Sequence, residues 1–209
     1  RYVCSHNPDE KELVRRFKKV MARPDQSELI TGLAQITGGT AFAVFFGCDL
    51  QDAVVALIVC LMIVLVGRWL SRREGNPMIY NLILAFLSEV VIVTAVRSGL
   101  GHHPDRIMIG IVMLLISGLS TTNGIRDLLQ RDFISGFINI MNSFLGAAGI
   151  AFGIGLAIML FHEGYSDHFI LNHSVPIQLI SCTVACTGFA FWFKIRGKQV
   201  WYNSIGAFF

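Results

Sequence analysis

The sequence predicts an all-α fold, a polytopic transmembrane helix bundle with a broken fourth helix. The first observation is composition, since 54% of the 209 residues are hydrophobic and only 15% are charged, whereas soluble domains carry charge on about a quarter of their residues. The second is a set of uncharged stretches as long as membrane spans. They are Leu29 to Gly47, Ala53 to Gly67, Ile107 to Ile125, Phe133 to Phe161 and Ser174 to Phe193. The third is a run of small polar residues inside one of these stretches.

The distribution of basic residues predicts the orientation. Fifteen of the seventeen Lys and Arg residues lie before the first span or on alternate loops after it, and only Arg97 and Arg106 lie on the opposite side. Cytoplasmic loops carry the excess of Lys and Arg in membrane proteins. We therefore expect a multi-pass protein of the cell membrane with a cytoplasmic N-terminus.

Four regions are predicted along the chain. Residues 1–27 form a cytoplasmic amphipathic segment, residues 28–161 a five-span transporter bundle, residues 162–173 an outer loop, and residues 174–209 a sixth span and the start of a seventh. The sequence starts at Arg1 and stops inside an apolar run, so we expect it to be an internal piece of a longer chain.

The first region is predicted to hold an amphipathic helix that starts at the cap residue Asn7, followed by Pro8. Its apolar face contains Leu13, Val14, Phe17, Val20 and Met21, and its opposite face is rich in Arg and Lys. This pattern is typical of a helix lying on the anionic inner leaflet. Docking of the helix onto the cytoplasmic side of the bundle is an equal alternative.

The third span, from about Met78 to Val96, contains one acidic residue near its middle, Glu89. An ionisable side chain at this depth is costly unless it faces the bundle interior or a partner. Glu89 is therefore the candidate for proton coupling, and a hydrogen bond to a neighbouring helix is the structural alternative. In the outer loop that follows, the adjacent His102 and His103 lack a further ligand motif. They predict a solvated loop, and no metal or cofactor is expected.

The fourth span is the broken one. Its apolar run from Ile107 to Leu119 has 13 residues, about 20 Å of helix against a hydrocarbon core of roughly 30 Å. Ser117 and Gly118 mark the predicted break. The polar residues that follow at membrane depth are Ser120, Thr121, Thr122 and Asn123. Interrupted backbone at this depth is tolerated where protein or a water-filled cavity satisfies it, and in secondary transporters substrate commonly binds there.

The fifth span, Phe133 to Phe161, has 29 uncharged residues. Small and polar residues recur on one of its faces at steps of three and four. They are Ser135, Asn139, Asn142, Gly146, Gly149 and Gly153. The glycines predict the close approach of another helix. For Asn139 and Asn142, helix-to-helix hydrogen bonding and direct ligand contact both stay open.

The stretch from Ile107 to Ala157 resembles the threonine/serine exporter family, secondary transporters of bacteria and fungi. That family has a helix ending in Pro-Gly, a small-polar stretch with Asn, an Ile-Arg-Asp-Leu turn and a Ser-Gly start to the next helix. The matching residues are Asn123, Ile125, Arg126, Asp127, Ser135 and Gly136. Ser117 stands where the family usually has proline. The resemblance extends from about Glu28 onward, and the end of the chain is similar to the opening of the family's second, smaller half.

The resemblance implies export of small hydroxy amino acids, threonine and serine, across the cytoplasmic membrane and driven by the proton gradient. A dicarboxylate such as succinate is the alternative substrate. We expect a half-helix starting near Asn123 to direct its backbone N–H groups at a substrate carboxylate. The side chains expected to bond the substrate's polar groups are Ser120, Thr121, Thr122 and Asn123. Arg126 either adds a bidentate contact or pairs with Asp127.

The expected partners are a small-molecule substrate and the lipid bilayer, without nucleic acid. Companion helices, from the same chain, a second copy or a second polypeptide, are expected to complete the bundle. A channel or a structural membrane subunit is a rival hypothesis, because glycine-lined helices and one buried acid suit these too. An enzyme is not expected, since no histidine falls within a span to serve a nucleophile.

Overall fold

The computed structural model describes residues 10–21, 27–73, 75–116, 118–161 and 175–193, together with residues 195, 200, 202 and 206. These residues are almost entirely helical and contain no strand, so the all-α prediction is confirmed. Three predicted features lie outside the described residues: the cap Asn7, the break residue Ser117 and the outer loop 162–173. Most of the predicted seventh span also lies outside them.

Eight helices make up the described part of the chain. They are α1 (Glu10–Met21), α2 (Glu28–Phe45), α3 (Leu50–Leu70), α4 (Pro77–Arg97), α5 (Pro104–Leu115), α6 (Gly118–Leu129), α7 (Phe133–Phe161) and α8 (Val175–Trp192).

Three of these helices, α3, α4 and α7, are long and apolar enough to cross a membrane. The pair α5 and α6 together gives a fourth candidate, with a bend of 48° between the two helices. This confirms the predicted broken helix. Helices α2 and α8 occupy the predicted first and sixth spans with 18 residues each, about 27 Å of helix. They fall short of the length and apolarity of the other three, so their crossing stays a prediction.

Local sequence sets two of the helix starts. At α3 the side chains and backbone groups of Asp49 and Asp52 form a reciprocal capping box. At α4 the Asn76 side chain accepts a hydrogen bond from the Met78 N–H at 3.0 Å, and Pro77 occupies the first helical position. Both arrangements satisfy N–H groups that a helix start otherwise leaves unpaired.

The predicted close approach at the glycine face of α7 is confirmed, and its partner is α4. A Cβ added to Gly149 would collide with the Met78 backbone carbonyl, and one added to Gly153 would collide with that of Leu82. The two helices run parallel, because the contacts advance in the same direction along both, from Met78 with Gly149 to Leu82 with Gly153. Glycine therefore seats α7 directly on the α4 backbone.

The core lies among α3, α4 and α5. Its fully buried side chains include Val59, Ile63, Leu84, Ile107, Ile111 and Leu114. Helix α2 packs against this core at Ala43. The approach is so close that a Cβ added to Gly110 would lie 2.6 Å from the Ala43 Cα. On its other side α2 meets α8, where the rings of Phe42 and Phe189 pack edge to face at 5.1 Å.

The apolar face of α1 stays exposed. Its side chains Leu13, Phe17 and Met21 are 39%, 61% and 72% exposed. The described residues do not cover this face, so docking onto the bundle finds no support among them. The position of α1 on the inner leaflet stays a prediction.

Candidate functional site

A cavity of about 280 Å³ lies where the broken helix meets α7. We call it the break cavity. Its lining consists of Ile116, Thr121, Ile140, Ser143, Phe144 and Ala147. The lining is mostly apolar and includes two residues with hydroxyl groups, Thr121 on α6 and Ser143 on α7. A volume just below the usual range of drug-sized sites fits a small ligand.

The break cavity exists because the chain leaves α5 in an extended conformation at Ile116 (ψ 125°) before α6 begins at Gly118. A helix start leaves its first backbone N–H groups without partners inside the helix. That of Gly118 bonds the Ile116 carbonyl at 3.0 Å. The next N–H groups belong to residues 119 to 121, of which Thr121 lines the cavity.

The prediction that a half-helix starts near Asn123 is wrong. Helix α6 starts five residues earlier, at Gly118, so Asn123 lies in its second turn. The Thr122 hydroxyl lies within this helix and donates to the Gly118 carbonyl at 2.9 Å, four residues back. Such back-bonding satisfies the hydroxyl of a Ser or Thr residue inside a helix.

Of the residues predicted to bind substrate, only Thr121 lines the break cavity. Ser120 is half-buried beside it, and Thr122, Asn123 and Arg126 are exposed on α6. Asn142 is exposed on α7. Sequence reasoning missed Ser143, although it lies four residues after Asn139 and next to Asn142. That spacing was the available signal.

Asn139 takes part in a polar cluster at the turn between α6 and α7. Oδ2 of Asp127 accepts hydrogen bonds from the Ser135 hydroxyl at 2.9 Å and from the Asn139 side-chain amide at 3.1 Å. Asp132 adds a bond from the Ser135 backbone N–H at 3.3 Å. The helix-to-helix alternative for Asn139 is therefore what the geometry supports. In the described part of the chain Arg126 forms no ion pair with Asp127.

Glu89 is buried, with 1% of its surface exposed, and does not line the break cavity. The Asn81 amide lies at the level of Gly146, and Glu89 is eight residues further along α4, about 12 Å. The far ends of the two helices meet where Arg97 donates to the Phe161 carbonyl at 2.9 Å. Glu89 thus lies between the break cavity and that end of the bundle. Asn81 is a second buried polar residue that the sequence reasoning missed.

The histidine loop is more ordered than the predicted solvated loop. Oδ1 of the buried Asp52 accepts the backbone N–H groups of His102 at 2.7 Å and His103 at 3.3 Å, and Oδ2 lies 3.0 Å from His103 Nδ1. Asp49 brings a third ligand atom, so Asp49, Asp52 and His103 could hold a metal ion by proximity. Because the existing hydrogen bonds satisfy Asp52, the cluster has a sufficient structural role in joining this loop to α3.

The turn between α2 and α3 is buried under the same loop. Arg106 donates to the Gly47 carbonyl at 2.6 Å, and Cys48 is 2% exposed. Burial, with a further contribution from the Asp52 charge, raises the pKa of the Cys48 thiol to about 12. The thiol therefore stays protonated at neutral pH and packs as a small apolar group.

Comparison with known proteins gives a family. A family model described as "Putative threonine/serine exporter" matches residues 1–161. A threonine/serine exporter of Corynebacterium glutamicum is 23% identical over 126 residues, which cover 58% of this chain and 26% of that protein. The chain thus spans about a quarter of the length of this curated relative. No solved structure matches it.

Proposed function

Because the chain belongs to the threonine/serine exporter family, we propose that it forms part of a secondary active transporter exporting threonine and serine. The export runs across the cell membrane, with the N-terminus of the chain in the cytoplasm. The distribution of Lys and Arg supports this orientation. Three to four apolar helices of spanning length support a multi-pass protein.

The observation that carries the proposal is the break cavity. It combines apolar walls with the hydroxyl groups of Thr121 and Ser143, which can pair with a substrate hydroxyl or ammonium group. Thr121, in its wall, belongs to the first turn of α6, and the N–H groups of a first helical turn suit a carboxylate. A small hydroxy amino acid carries all three of these groups.

The same lining favours an amino acid over a dicarboxylate. Its six residues include neither Lys nor Arg, and a second carboxylate in an apolar site needs a cationic partner. This part of the chain offers binding groups for one carboxylate, at the start of α6. Succinate is therefore the weaker candidate.

The other predicted binding residues have narrower roles in this proposal. Asn139 positions the α6–α7 turn through Asp127. Ser120 and Asn123 flank the break cavity on α6, while Arg126 and Asn142 contact substrate only where companion helices complete the site. The exposure of Arg126 and Asn142 supports the presence of such helices, because polar groups at membrane depth need partners or water.

Glu89 is the proposed proton carrier. Its burial in α4 supports this role, since acidic residues that face the interior of a membrane bundle commonly belong to proton pathways. Its position about 12 Å beyond the level of Gly146 separates the proton site from the break cavity. Coupling then acts through helix movement and not through direct contact between the carboxyl and the substrate.

The test is counterflow in proteoliposomes that contain the full-length protein. Labelled threonine, serine and succinate are offered separately, with and without an imposed pH gradient. Saturable counterflow of threonine and serine, enhanced by the gradient, is the expected result. Non-saturating flux would favour a channel. Counterflow of succinate alone would favour the hypothesis that the substrate is a dicarboxylate.

A further inference from the structure

A second cavity, of about 320 Å³, opens between α2, α3 and α4 at the ends that carry the basic loop. We call it the inner cavity. Its lining consists of Glu28, Gln35, Ile63, Val64, Gly67, Arg68, Ser71, Arg72 and Tyr80. It shares no residue with the break cavity. Because Arg68 and Arg72 belong to a predicted cytoplasmic loop, the cavity faces the side from which an exported substrate arrives.

Two glycines leave the space for its polar side chains. A Cβ on Gly67 would lie 2.8 Å from the Tyr80 hydroxyl, and one on Gly32 would lie 2.8 Å from Nη2 of Arg68. Any larger residue at these positions would push the phenol or the guanidinium away. The cavity is therefore formed by the close fit of side chains from three helices.

The inner cavity has both basic and acidic side chains in its lining. Arg68 donates to the backbone carbonyl of Glu28, and its Nη1 lies 4.0 Å from the Glu28 carboxylate. Arg72 is exposed on the same rim and has no ion pair with a described residue. Gln35, Ser71 and Tyr80 add uncharged donors and acceptors.

We propose that the inner cavity binds the zwitterion of a small hydroxy amino acid before it reaches the break cavity. The guanidinium groups of Arg72 and Arg68 bind the carboxylate. Glu28 binds the ammonium group, and Tyr80 with Gln35 bonds the hydroxyl. The assignment rests on the proposed function for the nature of the substrate, while the binding itself is measurable without transport.

The experiment uses chemical labelling of Ser71→Cys in the full-length protein. Inside-out membrane vesicles are treated with an impermeant maleimide, and labelling at position 71 is quantified by peptide mass spectrometry. We expect threonine to slow the labelling with saturation. Threoninol, which lacks the carboxylate, and acetate, which lacks the ammonium group, should not protect. Equal protection by acetate would replace the proposal with a plain anion site.

Three second-site variants separate this cavity from the rest of the protein. Arg72→Gln should raise the threonine concentration for half-protection about tenfold. The matched control Arg73→Gln should leave it unchanged, because Arg73 lies over the Trp69 ring at 4.6 Å, outside the cavity. An equal response of the two variants would overturn the proposal. Loss of protection in Thr121→Val would also overturn it, by assigning the effect to the break cavity.

The two proposals fail in different ways. Protection at position 71 without any counterflow in the wild-type protein would refute the export function and leave the inner binding site standing. Counterflow of threonine without protection at position 71 would refute the inner site alone.

Discussion

The side-chain amide of Asn139 donates a 3.1 Å hydrogen bond to the carboxylate of Asp127, across the turn between α6 and α7. The same oxygen accepts the Ser135 hydroxyl. One acidic residue at the end of α6 therefore fixes the first two turns of α7. Thr121 and Ser143, on the same two helices, line the break cavity.

Asp127→Ala should destabilise the protein by about 1–3 kcal/mol, because it leaves two donors without their acceptor. Thermal unfolding of the full-length protein in detergent measures the effect as a lower Tm. Arg126→Gln is the matched control, since Arg126 is adjacent and exposed. If the two variants unfold at the same temperature, the cluster does not hold the turn.

Gly149→Ala should also lower the Tm, by overpacking against the α4 backbone at Met78, an effect typically of about 1–3 kcal/mol. Gly155 lies in the same helix with nothing within 4 Å of an added Cβ. Gly155→Ala should therefore raise the stability by up to about 1 kcal/mol, as expected for alanine in a helix interior. Equal Tm changes in the two variants would contradict the close packing of α4 and α7.

Thr121→Val should weaken threonine binding at the break cavity about three- to tenfold, because one hydrogen bond of about 1 kcal/mol is lost while the shape is kept. The half-saturation concentration in counterflow measures this change. Thr122→Val is the control, since Thr122 is the neighbouring threonine of the same helix and does not line the break cavity. A larger effect at Thr122 than at Thr121 would remove the break cavity from the proposed mechanism.

Glu89→Gln should abolish the response of transport to a pH gradient while preserving exchange of threonine for threonine. Glutamine keeps the shape of the side chain and cannot release a proton. Parallel assays of gradient-driven uptake and of exchange separate the two activities. The neighbouring Ser88→Ala serves as a control, because the Ser88 hydroxyl bonds the Leu84 carbonyl in its own helix. Unchanged gradient dependence in Glu89→Gln would eliminate this residue as the proton carrier.

Cys48 should resist maleimide in the native protein from pH 7 to pH 9. The thiolate is the reactive form, and burial holds the pKa of this thiol near 12, so almost no thiolate forms in that range. Leu50→Cys places a thiol two residues away at a position that is 88% exposed in the native chain. Labelling of position 50 without position 48, read by mass spectrometry, is the expected pattern. Comparable rates at both positions would show that the turn is open.

The sequence was sufficient to predict those structural features that follow from a periodic pattern or from a limit on helix length. The glycine face of α7 was predictable because small residues at steps of three and four place one face against a neighbour. The break after α5 was predictable because 13 apolar residues are too short to cross. By contrast, the start of α6 could not be predicted from the small polar residues. Such residues are compatible with a helix or with a break, and here the Thr122 hydroxyl bonds the Gly118 carbonyl inside the helix.

Features that depend on tertiary contacts could not be predicted. Ser143 is a single serine in an apolar run, and only the position of α6 makes it part of a cavity. Asp127 looked like a partner for Arg126, its neighbour in sequence, whereas its hydrogen bonds come from the next helix. The inner cavity likewise requires three helices to be placed before its residues meet.

The contact of α7 with the α4 backbone at Gly149 and Gly153 has a consequence for the transport cycle. With no layer of side chains to slide or repack, the two helices are expected to move as one rigid body. In the proposed transport cycle Glu89 and Ser143 would then keep a constant separation.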